Sequence, residues 1–290
     1  MSLQGILFNI NSAKSDRKRD AAIAFPEGIT ECRNISYGSH GKWSLLDVYY
    51  PDGTATALPT IVSIHGGGYV YGTKEIYRRY GMDMARRGFA FVNFNYRLAP
   101  KWRFPTPLAD TTAALHWVVK NAKRYHLDPD NIILLGDSAG AQLASQYAAI
   151  MTNPEYAKLF QLKLPKVRIR ALGCFCGMYD LKARAQGKRK GIHLDYFGRD
   201  IADEDPRLQV LEHITSDYPP AFLATACHDF LRPCAEPMYR FLTEKGIPAQ
   251  WKCYGTEADE TVSHVFHVNI ALEEARQCND DAAQFWRQFL

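Results

Sequence analysis

The sequence predicts an α/β protein in which a mostly parallel sheet carries helices on both faces. Three observations carry that class. β-prone apolar runs alternate with helix-periodic runs from residue 31 to the end. The strand runs are apolar throughout, as strands buried on both faces are. The run Ile132–Leu135 leads straight into Gly136-Asp137-Ser138-Ala139-Gly140 and then into the small-residue helix start Ala141-Gln142-Leu143-Ala144.

The elements follow in order. Glu31–Tyr37 and Trp43–Tyr50 read as two strands joined through Gly38-Ser39-His40-Gly41, a hairpin that sets an antiparallel edge. Pro59–His65 is a third strand. Ile76–Arg87 has helical period and stops at Gly88, and Phe89–Asn95 is the next strand. A helix over Pro107–Tyr125 is followed by the turn Asp128-Pro129-Asp130, the strand Asn131–Gly136 and the helix Ala139–Met151. Val167–Phe175 and Ala221–Cys227 continue as strands. Cys234–Lys245 is a helix stopped by Gly246, Pro248–Tyr254 is the last strand, and Ile270–Leu290 is a closing amphipathic helix. Two segments stand outside this pattern, 1–30 and 180–218. The second mixes charge, aromatics and turn residues, with a basic run over 182–190. Inserts of this length usually form lids or binding loops.

Bulk composition narrows the function classes. The chain has 290 residues, 47% of them hydrophobic and 23% charged, with a formal net charge of +4. That composition suits one large globular domain over 1–290 and gives no case for nucleic acid. No run approaches the roughly 20 apolar residues of a membrane span. The start, Met1 to Asp20, places its charges after a short apolar patch, unlike a secretory leader. Seven cysteines (Cys32, Cys174, Cys176, Cys227, Cys234, Cys253 and Cys278) lie mostly in apolar contexts and read as reduced thiols of a cytoplasmic protein. On a strand, Cys174 and Cys176 would share a face, but no further metal ligands accompany them. The reading therefore includes no metal and no cofactor, and it leaves room for a homodimer.

Chemistry concentrates at Ser138. A serine hydroxyl is a poor nucleophile unless the chain presents it, and a sharp strand-to-helix turn lifts Oγ above the sheet edge with backbone N–H groups beneath it. His65-Gly66-Gly67-Gly68-Tyr69 follows another apolar strand. Bare glycine amides there suit a carbonyl oxygen becoming an oxyanion. A phosphate loop is disfavoured, because no Lys-Ser/Thr pair closes the segment and the G-x-G-x-x-G spacing is absent. His65 and Tyr69, which flank the glycines, are expected at the substrate, with Tyr69 and Tyr71 narrowing the acyl pocket. The base must follow Ser138 in the chain, and His264 lies in a polar loop after the last strand; His267 is the alternative. Asp229 follows the strand Ala221–Cys227 and is the favoured acid, with Asp259, Glu257 and Glu260 as rivals.

The motifs HGGGYVYG (65–72), NYRLAP (95–100), FP (104–105), DPDNIILLGDSAGA (128–141), CHDFLRP (227–233) and SHVF (263–266) together resemble the hormone-sensitive-lipase-like branch of the α/β-hydrolase superfamily. The resemblance spans about residues 30–290. It implies an eight-stranded α/β-hydrolase sheet with a small cap, built here from 1–30 and 180–218. It implies Ser138 as nucleophile, Asp229 as acid and His264 as base. It also implies an oxyanion hole of the Gly67, Gly68 and Ala139 amides. The expected substrate is a small ester with a short acyl chain, as for acetyl esterases. An amidase or arylformamidase on the same scaffold is the alternative, and a catalytically silent binding protein a more distant one. Ala141 stands where a further glycine is common in the branch, and the N-terminal cap segment is short, which predicts an open pocket.

Overall fold

The computed structural model describes residues 1–21, 23–181 and 189–290. Eight strands form one sheet: β1 (Ile29–Ser36), β2 (Leu45–Pro51), β3 (Leu58–Ile64), β4 (Ala90–Phe94), β5 (Leu127–Asp137), β6 (Ile169–Phe175), β7 (Ala221–Ala226) and β8 (Ala249–Tyr254). Their spatial order is β1-β2-β4-β3-β5-β6-β7-β8. The β1/β2 and β2/β4 pairs are antiparallel and all later pairs are parallel. This is the α/β-hydrolase fold expected from the sequence, with its antiparallel edge.

Helices cover both faces, as near-continuous apolar strands require. Besides α1 (Leu3–Ala21), they are α2 (Arg78–Arg86), α3 (Thr106–Asn121), α4 (Ala139–Thr152), α5 (Pro154–Lys158), α6 (Gly191–Phe197), α7 (Ala235–Glu244) and α8 (Glu273–Trp286). One core gathers strand residues such as Val62, Leu134, Leu172 and Leu223 under α3, α4 and α7. The other gathers Ile61, Ile133, Ala171 and Phe222 under α2 and α8. Neighbours in the sequence thus alternate between the two cores, the period of two that a strand imposes.

The segment before β1 is largely helical: α1 takes 19 residues of it. Its apolar residues cluster in the first half, and its charges in the second, so no helical period marks it. Cys174 and Cys176 do not share a face, since Cys174 lies in the first core and Cys176 in the second. Cys176 sits past the end of β6 with φ +49°, where strand alternation no longer applies. The basic run 182–190 lies mostly outside the described residues.

The turn from β5 into α4 brings two stretches of backbone close together. A Cβ placed on Gly140 would lie 1.9 Å from the Ile64 carbonyl oxygen at the end of β3. Only a bare α-carbon lets α4 start so close to β3. Replacing Gly140 by Ala should destabilise the fold by at least about 3 kcal/mol, since backbone rather than a flexible side chain must give way. Urea unfolding would check this, and a cost below about 1 kcal/mol would refute the close approach.

Candidate active site

Parallel strands end on one edge of the sheet, and the loops that leave them there build the site. Ser138 caps α4 with φ 52° and ψ −117°, a conformation disfavoured for a residue with a side chain. Its amide donates to the Phe175 carbonyl at the end of β6, 2.9 Å away, which holds the turn in place. Asp229 follows β7. Its backbone sits in a turn, and its carboxylate accepts from Thr225 Oγ1 (2.8 Å) and from the Leu231 amide (2.9 Å). His264 comes from the loop after β8. An isolated bridge between His228 and Ser263 pins that loop to the Asp229 loop, one residue before the acid and one before the histidine.

The three side chains meet. His264 Nδ1 donates to Asp229 Oδ1 at 2.7 Å, and Ser138 Oγ lies 3.0 Å from His264 Nε2, in position to donate to it. Asp229 is shielded, whereas the His264 side chain is 23% exposed and faces the cleft. Burial alone would raise the Asp229 carboxyl. Hydrogen bonds from His264, Leu231 and Thr225, with the charge of the imidazole, outweigh it and hold Asp229 below the usual carboxylate range. The next residue supports the ring: Val265 adopts φ +64° and its amide donates to Cys176 Sγ at 3.3 Å. Phe230 lies against the His264 ring, 4.3 Å between centroids. The donor atoms of Cys176, Asp229 and His264 crowd within 4.8 Å of one another. Both nitrogens of His264 are already taken up by Ser138 and Asp229.

The rival residues have other partners. Glu257 pairs with Arg232 at 2.7 Å, Asp259 caps Thr261, and Glu260 is exposed. His267 is wholly buried among Tyr80, Phe175 and Phe266, and burial pushes its imidazole well below the ordinary range.

A cleft of about 300 Å³ opens over Ser138 and His264, bordered by Gly66, Gly67, Tyr71, Tyr77 and Asp137, and on the far side by Phe8, Ser12 and Asp16 of α1. The N-terminal helix is thus a wall of the site. Tyr71 Oη donates to Asp16 at 2.8 Å, and Ser2 ties the start of α1 to Asp195 of α6 through its amide and hydroxyl.

The expectation that His65 and Tyr69 touch substrate does not hold, because both are buried behind the glycine loop and border no part of the cleft. His65 stacks on Tyr96 at 4.1 Å and its Nδ1 donates to the Gly66 carbonyl at 2.8 Å. Burial holds its imidazole down to about 4, so it stays neutral as a loop brace. Tyr69 stacks on Tyr196 at 3.8 Å and donates to Gln142. Of the two tyrosines that follow the glycines, Tyr71 is the one that borders the cleft. Gly67 borders the cleft with φ +113°; a Cβ there would meet the Tyr71 carbonyl at 2.2 Å. Gly68 lies beneath Ile192 and Phe8, and Ala139 opens α4.

Sequence reasoning passed over Asp137 and Tyr77. The buried Asp137 carboxylate accepts from the Gly66 amide (3.1 Å) and from Tyr77 Oη (2.7 Å), and Tyr77 Oη accepts from Gly66 as well (2.9 Å). The position of Asp137 between Gly136 and Ser138 was the available signal. Burial pushes its carboxyl up to about 6, against the lowering effect of Tyr77, His264 and Gly66.

Comparison with known proteins agrees with this architecture. The BD-FAE family model matches residues 46–250. The chain is similar to LipM of Mycobacterium tuberculosis, a carboxylic ester hydrolase by name, with 31% identity over 69% of this chain and 48% of that protein. It is similar to the carboxylesterase NlhH of the same organism, with 28% identity over 85% of this chain and 79% of NlhH. It spans less than half the length of two of the relatives it matches, 41% of one and 48% of LipM. Among solved structures, esterase B from Lactobacillus Rhamnosis superposes with a TM-score of 0.87 at 25% identity, over 97% of this chain and 92% of that one. The matched span, more than half of the chain, holds the glycine loop, the serine turn and the acid loop, and places this chain in the BD-FAE family on an α/β-hydrolase fold.

Proposed function

We propose that the protein is a serine hydrolase of small carboxylic esters, working through an acyl-enzyme in a reduced, cytoplasmic setting. The hydrogen-bonded chain Ser138–His264–Asp229 carries this reading. The Asp229 carboxylate fixes the Nδ1–H tautomer, which leaves Nε2 free to take the Ser138 proton. Oγ then attacks the ester carbonyl, and the imidazolium returns the proton to the leaving alcohol. Water repeats the sequence to release the acid.

The carbonyl oxygen needs donors in place as it becomes an oxyanion. The Gly66 amide is committed to Tyr77 and Asp137, so the reading assigns the role to Gly67, Gly68 and Ala139. Asp137 and Tyr77 then act as the frame that aims the glycine loop. The names of the relatives, carboxylesterase and acetyl esterase among them, support ester over amide hydrolysis. The α1 wall supports a short acyl group: Phe8 stands edge-on to Tyr71, 6.4 Å between centroids, across a small cleft.

Ser138→Ala should lower kcat by about 10⁴ or more with an unchanged circular dichroism spectrum, and a fluorophosphonate should label Ser138 alone. Retained turnover or labelling elsewhere would place the nucleophile elsewhere. On p-nitrophenyl esters, kcat/KM should peak at about two to four carbons, and Phe8→Ala should move the peak to longer chains; an unmoved peak would remove α1 from the acyl slot. Asp137 gives a pH prediction. Its carboxyl goes from an ordinary 3.8 up to about 6 in the fold, so between those values the native chain holds a proton that the unfolded chain releases. Stability from this group is greatest below the window and falls as pH rises through it. The stability of the wild type relative to Asp137→Asn should therefore shrink from about pH 4 to 6 and level off above, as read by urea unfolding. A pH-independent difference would overturn the assignment.

A further inference from the structure

Cys227 and Cys253 place two accessible thiols against one another beside the acid loop. Cys227 is the first residue after β7 and lies two residues before Asp229. Cys253 lies in the edge strand β8, in register with Thr225. The Cys227 amide donates to the Tyr254 carbonyl at 2.9 Å, which locks the two backbones together at this level. The Sγ atoms stand 3.8 Å apart, in van der Waals contact. Cys253 is exposed and Cys227 half-buried, so a small reagent reaches the pair from solvent. By contrast, Cys174, Cys176 and Cys278 are buried.

We propose that Cys227 and Cys253 form a redox-active dithiol, a modification site that closes into an intramolecular disulfide on reaction with a small-molecule disulfide. Closure brings the sulfurs from contact to a bond of about 2.05 Å, a movement of roughly 0.9 Å for each. One thiolate attacks the small disulfide, forming a mixed disulfide and expelling one thiol. The second protein thiol gives up its proton, attacks the modified sulfur and expels the other thiol. The protein loses two electrons and two protons, and the small disulfide is reduced to two thiols. Burial and the neighbouring thiol push Cys253 up to about 11, so closure calls for the disulfide in excess.

The bond would tie the exit of β7 to β8 across a 26-residue separation, two residues before Asp229 in the chain. Asp229 keeps its own anchors on Thr225, Leu231 and His264, so the bond acts as a clasp on the scaffold of the acid.

The test uses the full chain, reduced and then exposed to oxidised glutathione, with the remaining thiols alkylated before a non-reducing digest. A cross-linked peptide joining Cys227 to Cys253, two hydrogens lighter than its parts, is expected. The oxidised protein should melt a few degrees higher and return to the reduced value with dithiothreitol. Cys227→Ser and Cys253→Ser, each lacking the resolving thiol, should accumulate a glutathione adduct on the remaining cysteine at least tenfold above the wild type. Cys227 and Cys253 both alkylated after oxidation, or a wild type that holds the mixed disulfide as the single variants do, would overturn the proposal. Neither readout depends on ester turnover.

Discussion

The approach of Gly140 to the end of β3 is the contact on which the rest of the site depends. It sets α4 against the strand that carries the glycine loop, so that two loops from different strands share one floor. Asp137 can then reach across from the serine turn to the Gly66 amide. Together with the β3/β5 pairing, that contact fixes the serine turn relative to the glycine loop. An oxyanion site needs such rigidity, because donors that must reorganise lose most of their effect. The strain at Ser138, with φ 52°, is held from the other side by its bond to Phe175 on β6. Three adjacent strands therefore share the task of presenting one hydroxyl.

The second half of the relay is built by pairing two loops rather than by one element. β7 delivers Asp229 directly, so the acid inherits the order of the sheet. His264 comes ten residues after β8 ends and would wander without support. The bridge between His228 and Ser263 and the Arg232–Glu257 pair close that distance. The exposed ion pair alone would add little. Its contribution is to place the loop, while the bridge sets the register that aligns Asp229 and His264.

Legibility in the sequence followed this division. Strands β3 to β8 and the motif residues Ser138, Asp229 and His264 could be read because short-range pattern and chain order constrain them. The loop that carries His264 holds three rival carboxylates, and only tertiary contacts separate them from Asp229: Glu257 answers Arg232, and Asp259 answers Thr261. His65 and Tyr69 misled because a loop has no fixed period, so adjacency to the glycines says nothing about which side chains face inward. The helix α1 was invisible for a related reason. Its apolar residues are not spread along one face; they gather near its start, where Leu3, Leu7 and Ile10 remain exposed. Its place as a cleft wall comes from a few specific bonds, Tyr71 to Asp16 and Ser2 to Asp195, which no pattern encodes.

Asp137 raises an electrostatic question that the site answers locally. A second carboxylate next to the nucleophile favours an imidazolium at His264, the species formed when Ser138 loses its proton. By the same sign it disfavours a negative charge on the substrate oxygen. Burial makes both effects strong, since charges in a low-dielectric site are poorly screened. The Gly66 amide and the Tyr77 hydroxyl resolve the conflict by donating to Asp137 on the side that faces the glycine loop. Their dipoles offset part of its field there, while the charge of His264 acts on the same carboxyl. The same two donors fix the loop whose next amides would meet the oxyanion. A single buried cluster thus shapes the loop and sets the direction in which the carboxylate acts, and this explains why an acidic residue is tolerated so close to the proposed transition state.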